Sequence, residues 1–358
     1  MTMNKFLISP LLALLAISCQ DSMTPVAENA IKPTIITEPT PHDTDDPAIW
    51  VNPEDPTQSL IIGTDKEVGG GLYVYDLQGK IVNKYIDMER PNNVDVAYGL
   101  LINGKKTDIA VTTERKAHRL RIFSLPDLTP IDNGGIPIFE GETGEEERDG
   151  MGIALYTKQI DSAQVEIQAI VGRKTGPSGS YLWQYKLSGN EDGTVSGEVI
   201  RKFGTYSGKK EIEAIAVDNE LGYVYYSDET VGVRKYYADP EKGGEELAFF
   251  AQDDAQRDHE GIAIYKKDDK TGYILVSNQQ NNTFLVYKRE GETANPHEHT
   301  LIADIPVSTV ECDGADALNV NFGNQFPDGV FVAMSNGNVF HLYDWNILQD
   351  WIDQHPVQ

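Results

Sequence analysis

Carboxylates recur along this chain at the heads of apolar runs. Asp45 and Asp46 lead into Pro47-Ala48-Ile49-Trp50, Asp95 into Val96-Ala97-Tyr98, and Asp149 into Met151-Gly152-Ile153-Ala154. Glu213 then leads into Ala214-Ile215-Ala216-Val217, Glu260 into Gly261-Ile262-Ala263-Ile264, and Asp313 with Asp316 into Ala317-Leu318. Acids without neighbouring His or Cys are hard oxygen ligands, suited to Ca2+ or Mg2+ and not to zinc or copper. Of the seven His, only His42 and His259 stand beside these motifs, and neither has metal-ligand spacing. If the acids converge, their repulsion requires raised pKa values or bound cations. Several cations on shared carboxylates make an acidic ring into an anion site, and nearby bases would complete it for phosphate. Metals bridged by a carboxylate also lower the pKa of a water between them and set it in line with phosphorus, so no nucleophilic side chain is needed.

Something must bring these acids together. They lie roughly 50 residues apart, the period of a propeller blade. Each repeat divides into short strands separated by Gly, Asn, Asp and Pro. The fourth and fifth nearly superimpose: Gly222-Tyr223-Val224-Tyr225-Tyr226-Ser227 stands against Gly272-Tyr273-Ile274-Leu275-Val276-Ser277. Long amphipathic helical patterns are absent apart from a short stretch near Trp345. The expectation is an all-β, six-bladed β-propeller of four- to five-stranded antiparallel blades around a central channel. The first strand of each blade lines that channel, and the second returns to the face where the first began. That face then gathers Asp45, Asp46, Asp95, Asp149, Glu213, Glu260, Asp313 and Asp316, with Asp228 and Glu229 beside them. The bases at second-strand ends fall only in the first three blades: Lys66, Arg115, Arg173 and Lys174.

Taken singly, each acid would be a turn residue, each base a surface charge, and Gly152 or Gly261 a packing requirement near the crowded axis. Recurrence across the blades carries the joint reading. The aromatic residues closing third strands (Tyr75, Phe123, Tyr185, Tyr236, Tyr287, Tyr343) are expected in inter-blade core.

The 358 residues form one expected domain over 42–358, because a ring of blades is continuous. Residues 1–19 combine Lys5, an apolar run and Ser18-Cys19, the pattern of a short export signal ending in a lipobox-like Leu15-Ala16-Ile17-Ser18-Cys19. The run is too short for a membrane span. Residues 20–41 are expected to be a flexible tether, in which Thr34-Ile35-Ile36-Thr37 is a candidate outer strand. With Cys19 and Cys312 the only cysteines, lipidation or removal of Cys19 leaves no intrachain disulfide. A net charge of −26 argues against a nucleic-acid partner, whose phosphates need clustered Lys and Arg. A closed ring has no free sheet edge that demands a partner, so a monomer is expected.

These residues resemble the β-propeller phytases, the calcium-dependent alkaline phytases of bacteria. The resemblance runs from Pro41 to the C-terminus. It rests on Asp43-Thr44-Asp45-Asp46-Pro47-Ala48-Ile49-Trp50, Asn92-Asn93-Val94-Asp95, Glu213, Asp258-His259-Glu260-Gly261 and Asp313-Gly314-Ala315-Asp316. It implies hydrolysis of phytate, or calcium-phytate, to lower inositol phosphates and phosphate, with several Ca2+ ions serving catalysis and stability. By similarity, Asp46, Glu213, Glu229, Glu260 and Asp313 would hold catalytic calcium, with Asp45 and Asp258 near them. Lys66, Arg115 and either Arg173 or Lys174 would bind the phosphate being cleaved. Two positions depart from the family pattern. Met151 stands where a Tyr is usual, and Thr175-Gly176-Pro177-Ser178-Gly179 makes a longer loop after the third-blade bases. Two other functions are compatible with a propeller: a lactonase with one central Ca2+, against which Lys66 and Arg115 count, and a non-catalytic binding propeller.

Overall fold

The computed structural model describes residues 24–357 apart from Ala163, so the expected export signal and Cys19 lie outside the described residues. Six antiparallel sheets follow one another along the chain, five of four strands and one of five. The extra strand is in blade 2, where the outer position is divided between Thr129–Pro130 and Ile136–Pro137, both paired with Arg119–Ser124. The six-bladed propeller expected from the repeats is the observed architecture.

Blade geometry explains the sequence pattern. Middle strands are covered on both faces by neighbouring blades, so they are apolar without alternation: every residue of Gly71–Tyr75 and of Val330–Ser335 is buried. The outer strand Ile81–Ile86 has no such cover and is partly exposed along its length. The aromatic residues that close the third strands are all buried between blades. Burying an aromatic or large aliphatic side chain contributes about 1.5–3 kcal/mol, so the inter-blade layers hold the ring together.

Both ends of the chain build blade 6. Ile35–Ile36 forms its outer strand, pairing antiparallel with Val339–Asp344. The amides of Thr34, Thr37 and Thr40 donate to the carbonyls of Leu342, Phe340 and Asn338 at 2.8, 3.0 and 2.9 Å. The candidate strand in the tether therefore closes the ring. The helix Trp345–Gln354 buries Trp345, Leu348 and Ile352, the spacing of one helical face. Trp345 stacks on Tyr265 with ring centroids 3.4 Å apart, which ties blade 6 to blade 5.

Candidate active site

Strand register superimposes the blades. The second strands end at Asp65, Glu114, Arg173, Asp228, Asn278 and Ser335. Two residues before each end, the partners on the inner strands are Pro47, Val94, Ile153, Ile215, Ile262 and Ala315. Two residues further back lies one equivalent ring: Asp45, Asn92, Met151, Glu213, Glu260 and Asp313. In blades 1, 2, 3 and 5 the ladder slips just there, two residues opposing one. Such a bulge re-aims a side chain that regular pleating would send elsewhere. Hydroxyls one residue before the second-strand end fasten the next blade: Thr113 Oγ1 donates to Met151 O and Ser227 Oγ to Glu260 O, at 2.8 and 2.7 Å.

The inner ring thus holds four carboxylates, one amide and one thioether, fewer acids than the sequence repeat implies. Asp95 and Asp316 leave the expected cluster. They lie within paired strands and line the channel below the mouth. Asp95 Oδ2 accepts the amide of Leu155 in the next blade at 2.7 Å, and Asp316 Oδ2 that of Ile49 at 2.9 Å. Asp46 lines the same channel and accepts the Val94 amide at 3.1 Å. These three tie successive inner strands together. Asp149 also leaves the cluster: it is buried, belongs to none of the close carboxylate groups, and takes hydrogen bonds from Lys116 at 2.7 Å and Arg115 at 3.3 Å.

The strand ends and the residues after them divide the work. Asp65, Asp228, Asn278 and Ser335 turn their side chains onto the entry loops of their own blades, accepting the amides of Asp43, Ser207, Gln256 and Val310. Asp228, expected beside the cluster, is spent there and on Arg234 at 2.9 Å. The next residues form a second ring: Lys66, Arg115, Lys174, Glu229, Gln279 and Asn336. In five blades the amide of this residue donates to the carbonyl two places before the inner-ring residue: Asp43, Arg90, Asp149, Glu211 and Asp258. In this second ring bases therefore occupy blades 1 to 3, and one acid and two amides occupy blades 4 to 6.

This register sets Arg173 and Lys174 in different surroundings. Arg173, a strand end, is wholly buried. Its guanidinium donates to Ser180 O at 3.0 Å and Glu147 O at 3.3 Å, and lies 5.0 Å from the Phe139 ring centroid. Lys174 is the second-ring residue, with Nζ 3.1 Å from Glu211. The long loop after it covers Arg173, with Gly176 against the guanidinium and Thr175 Oγ1 donating to Glu145 O at 2.7 Å. Arg173, one of the two bases expected at the phosphate in blade 3, thus turns its guanidinium to backbone carbonyls and, at 3.5 Å, to Glu142. Met151 is fully buried.

Three groups of carboxylates each bring one oxygen per residue within 4.8 Å of the others: Asp45, Glu213 and Asp313; Glu211, Glu213 and Glu229; and Glu229, Asp258 and Glu260. Lys66 Nζ enters the first, 3.1 Å from Asp45 and 2.5 Å from Asp313. Lys210 Nζ enters the third, 2.5 Å from Glu229 and 3.1 Å from Asp258. Burial, then Asp45 and Asp313, push the Glu213 carboxyl well above the usual range. Burial, then Glu229 and Glu213, do the same to Glu260. Burial raises Glu229 to about 7 and Asp313 to about 6, even with a lysine beside each. So much buried like charge requires protons or cations. The donors suit a hard divalent cation: all are carboxylates, and Glu260 Oε2 is buried without a hydrogen-bond partner.

Sequence reasoning missed Glu211 and Lys210. They lie in the loop between blades 3 and 4, outside any repeated motif, and only the period of the ring plus two residues could have pointed to Glu211.

The chain matches the family described as Phytase over residues 2–350. It is 29% identical over 330 residues to the 3-phytase of Bacillus subtilis (strain 168), covering 87% of this chain and 82% of that protein. Among solved structures, the Dos1 propeller aligns at 12% identity over 84% of this chain and 68% of that one, with a TM-score of 0.44. The β-propeller domain of Myceliophteria thermophila Cps50 (Swd1) aligns at 9% identity over 84% and 83%, with a TM-score of 0.45.

Proposed function

The chain belongs to the Phytase family, and on that premise we propose that its mouth hydrolyses phytate to lower inositol phosphates and phosphate with Ca2+ held by the acidic groups. As a phytate-hydrolysing phosphoric monoester hydrolase it is neither a lactonase nor a binding module alone. Bound among the carboxylates, calcium would supply Lewis-acid charge and an acidified water, which fits an all-oxygen donor set.

The remaining work falls to side chains. Lys66, Arg115 and Lys174 occupy equivalent second-ring positions on adjacent blades and would hold the oxygens of the phosphate under attack. Their charge counts for most in the transition state, where negative charge spreads over those oxygens. Glu213 belongs to two of the three carboxylate groups and would orient the attacking water by accepting its hydrogen bond at the carboxylate. Asp45, Glu229, Asp258, Glu260 and Asp313 would hold the cations. Asp46, bonded to Val94 below the mouth, would support them from the channel side. A calcium-phytate complex as substrate accounts for the approach of so acidic a ligand to a protein of net charge −26, since metal neutralises both.

One observation carries this reading: Lys66 and the carboxylates of Asp45, Glu213 and Asp313, from blades 1, 4 and 6, converge on one point. Phosphate release from phytate should require calcium and stop on chelation. Glu213→Ala and Lys66→Ala should each lose activity in calcium. Undiminished turnover in excess chelator would end the calcium reading.

Residues 1–19 support an exported, lipid-anchored protein. Thr24, the first described residue, meets the rim of blade 5, its amide donating to Gln280 O at 3.0 Å. Retention of label from a radioactive fatty acid by the native chain but not by Cys19→Ala would test the anchor.

A further inference from the structure

Lys210 belongs to neither ring. It arrives on the loop between blades 3 and 4, whose Ser207 is fixed by its amide and hydroxyl to Asp228 at 3.0 and 2.7 Å. Its ammonium lies 2.5 Å from Glu229 Oε2 and 3.1 Å from Asp258 Oδ2, while Glu260 Oε2, the third member of the group, is buried with no hydrogen-bond partner. Gln280 Nε2 donates to Asp258 at 2.7 Å, and Arg257 stands 3.9 Å from its other oxygen. The carboxylates are almost wholly buried, yet the Lys210 side chain is 37% exposed. It therefore reaches in from outside and has room to leave.

We propose that Lys210 is a tethered cation that holds the Glu229, Asp258 and Glu260 group in the absence of a divalent ion and is exchanged for one when it binds. An ammonium and a divalent cation compete for these oxygens, because like charges at such separations repel strongly in a buried site. Lys210 would thus do two things. It keeps the ion-free mouth folded, and it raises the calcium concentration at which this group fills. The inference rests on the reading that the acidic groups take calcium.

The experiment compares the native chain with Lys210→Met and Lys209→Met. Calcium binding is followed by calorimetry in 0.5 M NaCl, where charges more than about 4 Å apart through solvent are largely screened. Melting is followed in chelator and in saturating calcium. Lys210→Met should bind calcium at least tenfold more tightly in its weakest resolved step, and Lys209→Met should stay within about twofold of the native chain. Lys210→Met should melt below the native chain in chelator and at or above it in calcium. A lysine that only braces the loop would lower melting in both conditions, and that result overturns the proposal. So does an unchanged isotherm in Lys210→Met where the native chain binds calcium. If the native chain binds no calcium at all, the calcium reading itself has failed, and the exchange with it.

Discussion

Arg173 and Lys174 are neighbours in the chain yet serve opposite sides of the blade: the guanidinium is sealed under Gly176, Phe139 and Trp183, and the ammonium stands 3.1 Å from Glu211 at the mouth. The pleat separates them. A strand end turns to its own entry loop, and the next residue turns to the axis. Their substitutions should therefore fail differently. Lys174→Met would remove the proposed charge-assisted bond to phosphate, about 1.5–3 kcal/mol, so kcat/KM for phytate should fall between about 10-fold and about 150-fold with melting little changed. Arg173→Leu strands the Ser180 and Glu147 carbonyls and should cost roughly 3 kcal/mol of stability, while KM of the folded enzyme stays near native. Equal KM effects in the two variants would contradict this division.

On the proposed calcium reading, calcium and protons compete for the same oxygens, which fixes the sign of a pH effect. Glu229 and Asp313 titrate at about 7 and about 6 in the folded chain, above the usual carboxylate range they return to on unfolding. Without metal the folded state therefore holds the extra protons, and these groups lose their stabilising contribution as pH rises from about 4 to about 7. Calcium reverses this, because ions bind the deprotonated form. The gap in melting temperature between calcium and chelator should widen steadily from pH 5 to pH 8. Calcium present at 100 times its dissociation constant adds about 2.7 kcal/mol per site. A gap independent of pH would mean that these carboxylates are not the ligands.

The ring of blades was legible from periodicity alone, because each inner strand begins near an acid and the middle strands carry short apolar runs such as Ile109-Ala110-Val111 and Ala169-Ile170-Val171. The position of each acid was less so. Asp45, Glu213, Glu260 and Asp313 fall at one register, whereas Asp95 lies three residues beyond its equivalent, Asn92, and Asp149 two before Met151. A one-residue difference sends a side chain to the other face of a strand, and a bulge reverses that rule locally. Acid spacing of roughly 50 residues cannot resolve such offsets. Lys210 was illegible for another reason: a loop of irregular length delivers it, and nothing repeats there.

Ring closure depends on a strand of two residues. Removing residues 24–40 deletes Ile35–Ile36 and the amides of Thr34, Thr37 and Thr40, and leaves Val339–Asp344 an open edge. At about 1 kcal/mol for each backbone bond, plus the contacts of Ile35, roughly 4 kcal/mol is lost. Melting should fall by about 10 °C and aggregation on heating should increase. A truncated chain that melts with the full one would show that blade 6 closes without its outer strand.

Gly152 tests whether the carboxylates are set by backbone packing around the axis. A Cβ there would lie 2.0 Å from the Glu213 carbonyl oxygen and 2.9 Å from its carbon, and neither can move without shifting the residue that two carboxylate groups share. Gly172, in the adjoining strand of the same blade, is a milder case, with the nearest atom, Ile212 O, at 3.2 Å. Gly152→Ala should cost about 2 kcal/mol or more from overpacking. It should also weaken calcium binding about tenfold, because displaced ligands no longer converge. Gly172→Ala should cost less in stability and leave calcium affinity near native. The comparison is decisive because both substitutions add one methyl near the axis, and only the first presses on Glu213 itself. If Gly152→Ala binds calcium and turns over phytate as the native chain does, close blade contact is not what aims Glu213 into the mouth.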